Sequence, residues 1–63
     1  MTMDKSAIKA ELHSLLQYER ELERMETRLL MGDRVEMYAT DVEQELTSTR
    51  RRIAVLRNAL RCG

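Results

Sequence analysis

Three glutamates, Glu19, Glu23 and Glu26, fall at helical spacing in the first half of the chain, and five arginines, Arg50, Arg51, Arg52, Arg57 and Arg61, crowd the last stretch. Grouped carboxylates can bridge metal ions, and grouped guanidiniums can grip phosphates. A carboxylate-bridged metal site in a helical bundle also needs Glu-x-x-His elements on facing helices. The chain offers none: His13 is its one histidine and stands beside Leu12 on the side expected to face solvent. Cys62 is the one cysteine, so neither an internal disulfide nor a Cys/His metal set can form. No Ser/His/Asp or Cys/His nucleophile set and no glycine loop for phosphate is present. The expectation is a non-enzyme with no catalytic residue, cofactor, metal or small-molecule substrate, and with the glutamates ion-paired at the surface.

The arginines are one half of a charge segregation that the formal net charge of zero conceals. From Asp33 to Glu45 there are five acids against Arg34 alone, whereas no acid follows Arg50. A basic surface of this kind could hold phosphates or an acidic partner. The favoured reading is a solvated face whose cations suit a helix C-terminus. The arginine-rich end lacks aromatic residues on which bases could stack, which disfavours nucleic acid as a partner.

Length and composition call for other chains. With 63 residues, no Phe or Trp and 35% charged residues, the chain is one thin domain built for long amphipathic helices. Chains this short seldom bury enough apolar surface alone and lean on disulfides, metals or partners. Here partners remain. The segment MTMDKSAIK is followed by no apolar core of a signal peptide, and Leu29-Leu30-Met31 and Ile53-Ala54-Val55-Leu56 are too short to span a bilayer. A lone thiol then points to a reducing, cytoplasmic setting.

Apolar periodicity supplies the elements. Ile8, Leu12, Leu15, Tyr18, Leu22, Met25 and Leu29 mark one face of a first helix, expected over residues 4–31 with Asp4 or Thr2 as N-cap. Val35, Ala39, Val42, Leu46, Thr49, Ile53, Leu56 and Leu60 alternate steps of four and three, a heptad seam predicting a second helix over 34–61. Between them Gly32 fits a left-handed C′ position, and Asp33 with Glu36 resembles a capping box. A turn at Gly32 and Asp33 forces the arms back antiparallel. The fold class is therefore all-α: an antiparallel two-helix hairpin, one domain over 1–63, with arms of roughly 42 Å at 1.5 Å per residue. Pairing positions about Gly32 sets Leu29 on Val35, Met25 on Ala39, Leu22 on Val42, Tyr18 on Leu46, Leu15 on Thr49 and Ile8 on Leu56.

Two helices leave each apolar stripe half covered. Leu12, Leu16, Ile53 and Val55 are expected to pack against a partner, either another helical protein or a second copy, with Arg50, Arg51, Arg52 and neighbouring glutamates setting register. Met25, Met31 and Met37 gather with Leu30 about the turn, where adaptable methionines serve equally as core filler or as a binding surface.

Glu43-Gln44-Glu45-Leu46-Thr47 resembles the Ser-Gln-Glu-Leu-Asp signature of the sporulation-type phosphatases of response regulators, but it lacks both the Ser and the functional Asp. That activity does not carry over. The plasmid-encoded RNA-binding hairpins that dimerise into four-helix bundles are similar in length and architecture. A third family is closer. Gly32-Asp33-Arg34-Val35-Glu36-Met37-Tyr38 looks like the turn, and Ile53-Ala54-Val55-Leu56 like the Leu/Ile-rich end, of the small co-chaperones of the type III secretion needle subunit. That resemblance implies a cytoplasmic hairpin that pairs with a helical-repeat chaperone and keeps the needle subunit soluble until export. The alternative expectation is a homodimeric four-helix bundle whose arginine-rich ends contact RNA or DNA.

Overall fold

A computed structural model describes residues 4–62. Two helices, α1 (Lys5–Leu30) and α2 (Ala39–Cys62), lie against each other as a hairpin measuring 45 × 16 × 15 Å. Asp4 caps α1 from extended backbone, its carboxylate accepting the Ser6 amide at 3.2 Å. Thr2, the other N-cap candidate, lies outside the described residues.

The end of α1 is a Schellman closure, as the glycine suggested. Gly32 adopts φ +87, its amide donates to the Leu29 carbonyl at 3.1 Å, and the Asp33 amide donates to the Arg28 carbonyl at 2.9 Å. Two orphan carbonyls of the last turn are satisfied without placing a Cβ in the left-handed region.

The connection between the helices is longer than the sequence pattern predicts. The second helix begins at Ala39 rather than at residue 34, so the chain between the helices runs from Met31 to Tyr38. Asp33 starts no helix: its amide is committed to closing α1, and its carboxylate pairs with Arg28 at 3.8 Å. Residues 34–38 form a strap in which Val35 and Met37 are half-buried while Arg34, Glu36 and Tyr38 are exposed. That alternation is not helical, because a helix would set Val35 and Met37 on opposite sides, and the backbone bends at Glu36 and Met37. Helical bonding resumes when the Tyr38 carbonyl accepts from the Val42 amide at 3.0 Å.

The seam beyond the strap keeps the expected face. Val42, Leu46, Thr49, Ile53 and Leu56 are buried on α2, and Ile8 and Leu22 on α1. Leu22, with no exposed surface, forms the central cluster with Val42 and Leu46, and Met25, Leu29 and Met37 pack around it. This is the register that set Leu22 on Val42. The two pairs nearest the turn do not form as expected, since Val35 belongs to the strap and Ala39 is exposed at the start of α2.

Candidate protein-interaction surface

Helical geometry separates residues that are neighbours in sequence. Consecutive helical residues point about 100° apart, so Arg50, Arg51 and Arg52 cannot share one face. Arg50 turns to one side of the hairpin, where its Nε meets Glu19 at 3.1 Å and its guanidinium meets Glu23 at 3.6 Å. Arg52 turns to the other side and meets Glu11 at 2.7 Å. Arg51 stands between them on the outer surface of α2, with no acidic partner among the described residues. The triple arginine is thus two clasps between helices and one outward cation, not a patch.

The clasps set the local electrostatics. The hydrogen bond from Arg52 is the main reason that the Glu11 carboxyl titrates below its ordinary value, and the same bond raises Arg52. Near the middle, the Tyr18 hydroxyl donates to the Glu45 carboxylate at 3.3 Å. Desolvation and then the Glu45 charge push the Tyr18 phenol upward. Glu19 and Glu23 belong to an ion-paired surface, as their spacing suggested, while Glu26 belongs to no ion pair among the described residues.

The four apolar residues expected to form one open side do not do so. Ile53 is only 4% exposed and sits in the seam between the helices, so it is not free for a partner in the hairpin. Its place in the unbroken heptad explains why. Val55, 56% exposed, lies on the back of α2, away from α1. Leu12 and Leu16 are half-buried along one flank of α1, on the side marked by Glu19 and Glu23.

The strongest exposure of large apolar side chains is elsewhere. Leu30, Met31 and Tyr38, at 84%, 75% and 81%, surround the hairpin tip, where α1 ends and the strap hands over to α2. Leu30 and Met31 stood in the expected tip group. Met25 and Met37 instead pack on the core, and Tyr38, off the heptad, joins Leu30 and Met31 at the tip. Below the tip, Glu26, Leu29, Leu30, Ala39, Val42 and Glu43 line a shallow groove with an apolar floor and a glutamate on either side.

Groups for bond-making chemistry are dispersed. His13 is exposed and 3.3 Å from the Gln17 amide, and the Cys62 thiol is free at the far end of α2. Among the described residues no three His, Cys, Asp or Glu side chains gather as a metal site, and no helix is long and apolar enough to cross a membrane. Compared with protein-family models, with curated proteins and with solved structures, the chain matches none.

Proposed function

We propose that the chain is a non-catalytic binding hairpin whose tip engages another helical protein. The observation that carries this reading is the exposure of Leu30, Met31 and Tyr38 together at one end of a rigid rod. Large apolar side chains clustered in solvent mark interaction sites, whereas the same residues scattered singly need no explanation. Two helix ends joined by a short strap offer an apolar knob that can insert between the helices of a partner. The Schellman closure fixes the end of α1 that carries Leu30 and Met31, so that part of the knob needs little ordering on binding.

The family resemblance at the turn gives this reading its concrete form: a cytoplasmic co-chaperone in protein export, holding a secretion needle subunit soluble together with a helical-repeat chaperone. Against the nucleic-acid alternative stand the engagement of Arg50 and Arg52 by glutamates and the divergence of the three neighbouring arginines. The test is co-expression with the needle subunit and the helical-repeat chaperone of the same cell. The expected result is a co-purified soluble complex that is lost in the Met31→Asp, Tyr38→Asp double variant while helical content is retained. A needle subunit that stays insoluble beside the wild-type chain, or a complex indifferent to the double variant, overturns the reading.

A further inference from the structure

The long axis of the hairpin carries a charge dipole that the balanced totals hide. The half holding the tip, residues 18–49, has nine acidic and four basic side chains, and the half holding the helix ends, residues 4–17 with 50–62, has two acidic and seven basic. Net charges of −5 and +5 therefore stand at opposite ends of a rod 45 Å long. A second copy placed head to tail brings each end of one chain over the opposite charge of the other.

One flank of the rod concentrates both the charge and the apolar surface. Leu12, Leu16, Glu19, Glu23, Glu26 and Leu30 follow one another along α1 at steps of four and three. Glu43, Thr47, Arg50, Ala54, Arg57 and Arg61 do the same along α2, and the Arg50 clasp to Glu19 and Glu23 places the two rows on the same side. At the tip end of this flank lies the apolar groove with Glu26 and Glu43 at its sides. At the other end are Arg57 and Arg61. None of these four charges has an ion-pair partner among the described residues.

We propose that a second copy of this chain packs antiparallel along this flank, with Glu26 and Glu43 of each copy facing Arg57 and Arg61 of the other. Leu60, half-buried between those arginines in sequence, comes to the apolar groove of the partner, and Leu12 and Leu16 meet across the middle. In the register that sets Leu22 on Val42, the level of Glu26 and the level of Arg57 and Arg61 are about 30 Å apart along the helices, at 1.5 Å per residue. Their midpoint falls near Leu16, so a two-fold axis there sets Leu12 and Leu16 at the centre and overlaps the rods over most of their length. The whole side of the rod, 45 Å long and 16 Å wide, projects roughly 700 Å² per copy, close to the ~800 Å² per partner of a standard stable interface. The arrangement covers the open side of the seam and leaves Met31 and Tyr38 at the two outer ends. It is independent of the tip-binding reading.

The experiment is light scattering on the purified full chain across a concentration series, with reductant present to keep Cys62 from crosslinking. Twice the chain mass is expected, weakening as salt is raised; the mass of a single chain throughout, or a dimer that salt tightens, overturns the proposal. Charge reversal supplies the second arm. The double variants Glu26→Arg, Glu43→Arg and Arg57→Glu, Arg61→Glu each set like charges together in the homodimer, and each should dissociate at least about tenfold more readily. Mixed in equal amounts they restore attraction at both ends, and the dimer mass should return. Variants that dimerise as well as the wild type, or a mixture no tighter than either alone, refute the orientation. Should a reversed chain lose helicity, the milder Glu26→Gln, Glu43→Gln variant decides: a dimer with undiminished salt dependence refutes the contact. The Met31→Asp, Tyr38→Asp variant should keep the wild-type dimer mass, which separates failure here from failure at the tip.

Discussion

Leu22→Ala is the substitution that weighs most on the hairpin. Leu22 has no exposed surface and touches Val42 and Leu46 across the seam, with Met25, Leu29 and Met37 closing the cluster. Buried Leu→Ala changes cost about 2–5 kcal/mol, the spread reflecting how far the site can collapse on the cavity. The strap that carries Met37 is held by few hydrogen bonds and can settle inward, which places the expected cost toward the lower end, about 2–3 kcal/mol. For a domain of this size each kcal/mol moves the midpoint by roughly 4–8 °C, so Tm should fall by roughly 10–20 °C. Small cores rarely supply more than about 3–5 kcal/mol, and the variant should sit near the edge of folding at room temperature. The assay is thermal and urea unfolding followed by far-ultraviolet circular dichroism, at matched chain concentrations because association adds apparent stability. Leu30→Ala is the control: at 84% exposure it should change stability by less than about 0.5 kcal/mol. Equal effects from the two changes, or a Leu22→Ala chain as stable as the wild type, would refute the seam.

Gly32→Ala tests the closure of α1. A Cβ at Gly32 meets nothing within 4 Å, so the cost is the left-handed backbone alone, about 1–2 kcal/mol, and Gly32→Asn should lose less; equal losses in urea unfolding would contradict a left-handed Gly32. Glu11→Gln tests the Arg52 clasp through pH. The folded carboxyl titrates below its ordinary 4.5, so its contribution is complete above that pH and disappears as pH falls through the folded value. The variant should therefore be less stable than the wild type at neutral pH and should show a shallower acid limb, with the two converging in strong acid; parallel curves across the acid range would show that the clasp carries no linked stability.

The parts of the fold that repeat were legible in sequence, and the parts that occur once were not. Val42, Leu46, Thr49, Ile53 and Leu56 are buried as an unbroken heptad, and Gly32 closes α1 because only glycine reaches the left-handed region without strain. The strap escaped because Val35 fits two patterns. It stands at the right spacing to begin the heptad, four residues before Ala39, and at the right spacing to alternate with Met37. The Schellman closure decides between them: the Asp33 amide turns back to the Arg28 carbonyl and its carboxylate pairs with the Arg28 side chain, and the backbone then bends at Glu36 and Met37 before helical bonding resumes at Tyr38. Ile53 belongs to the seam because it continues that heptad, which its assignment to the open side overlooked, and Tyr38 sends no periodic signal because it lies off the heptad.

The arginine cluster shows where linear proximity misleads and what replaces it. Arg50-Arg51-Arg52 reads as one basic feature only along the chain; on a helix it becomes two clasps on opposite sides of the hairpin and a cation on its back. What survives folding is the coarser asymmetry, acid near the tip and base near the helix ends, because an antiparallel hairpin brings residues distant in sequence to the same end of the rod. Folding thus disperses the cluster that a linear reading assigns to phosphate while concentrating a dipole that favours a protein partner laid along the rod in the opposite sense. Individual exposed ion pairs contribute little to stability. Opposed ends of a rod act instead on orientation, by penalising every parallel arrangement. Apolar residues at the tip and along the Leu12 and Leu16 flank lie at two separate places, so the two proposed contacts, with a second copy and with a further helical protein, do not compete for the same surface.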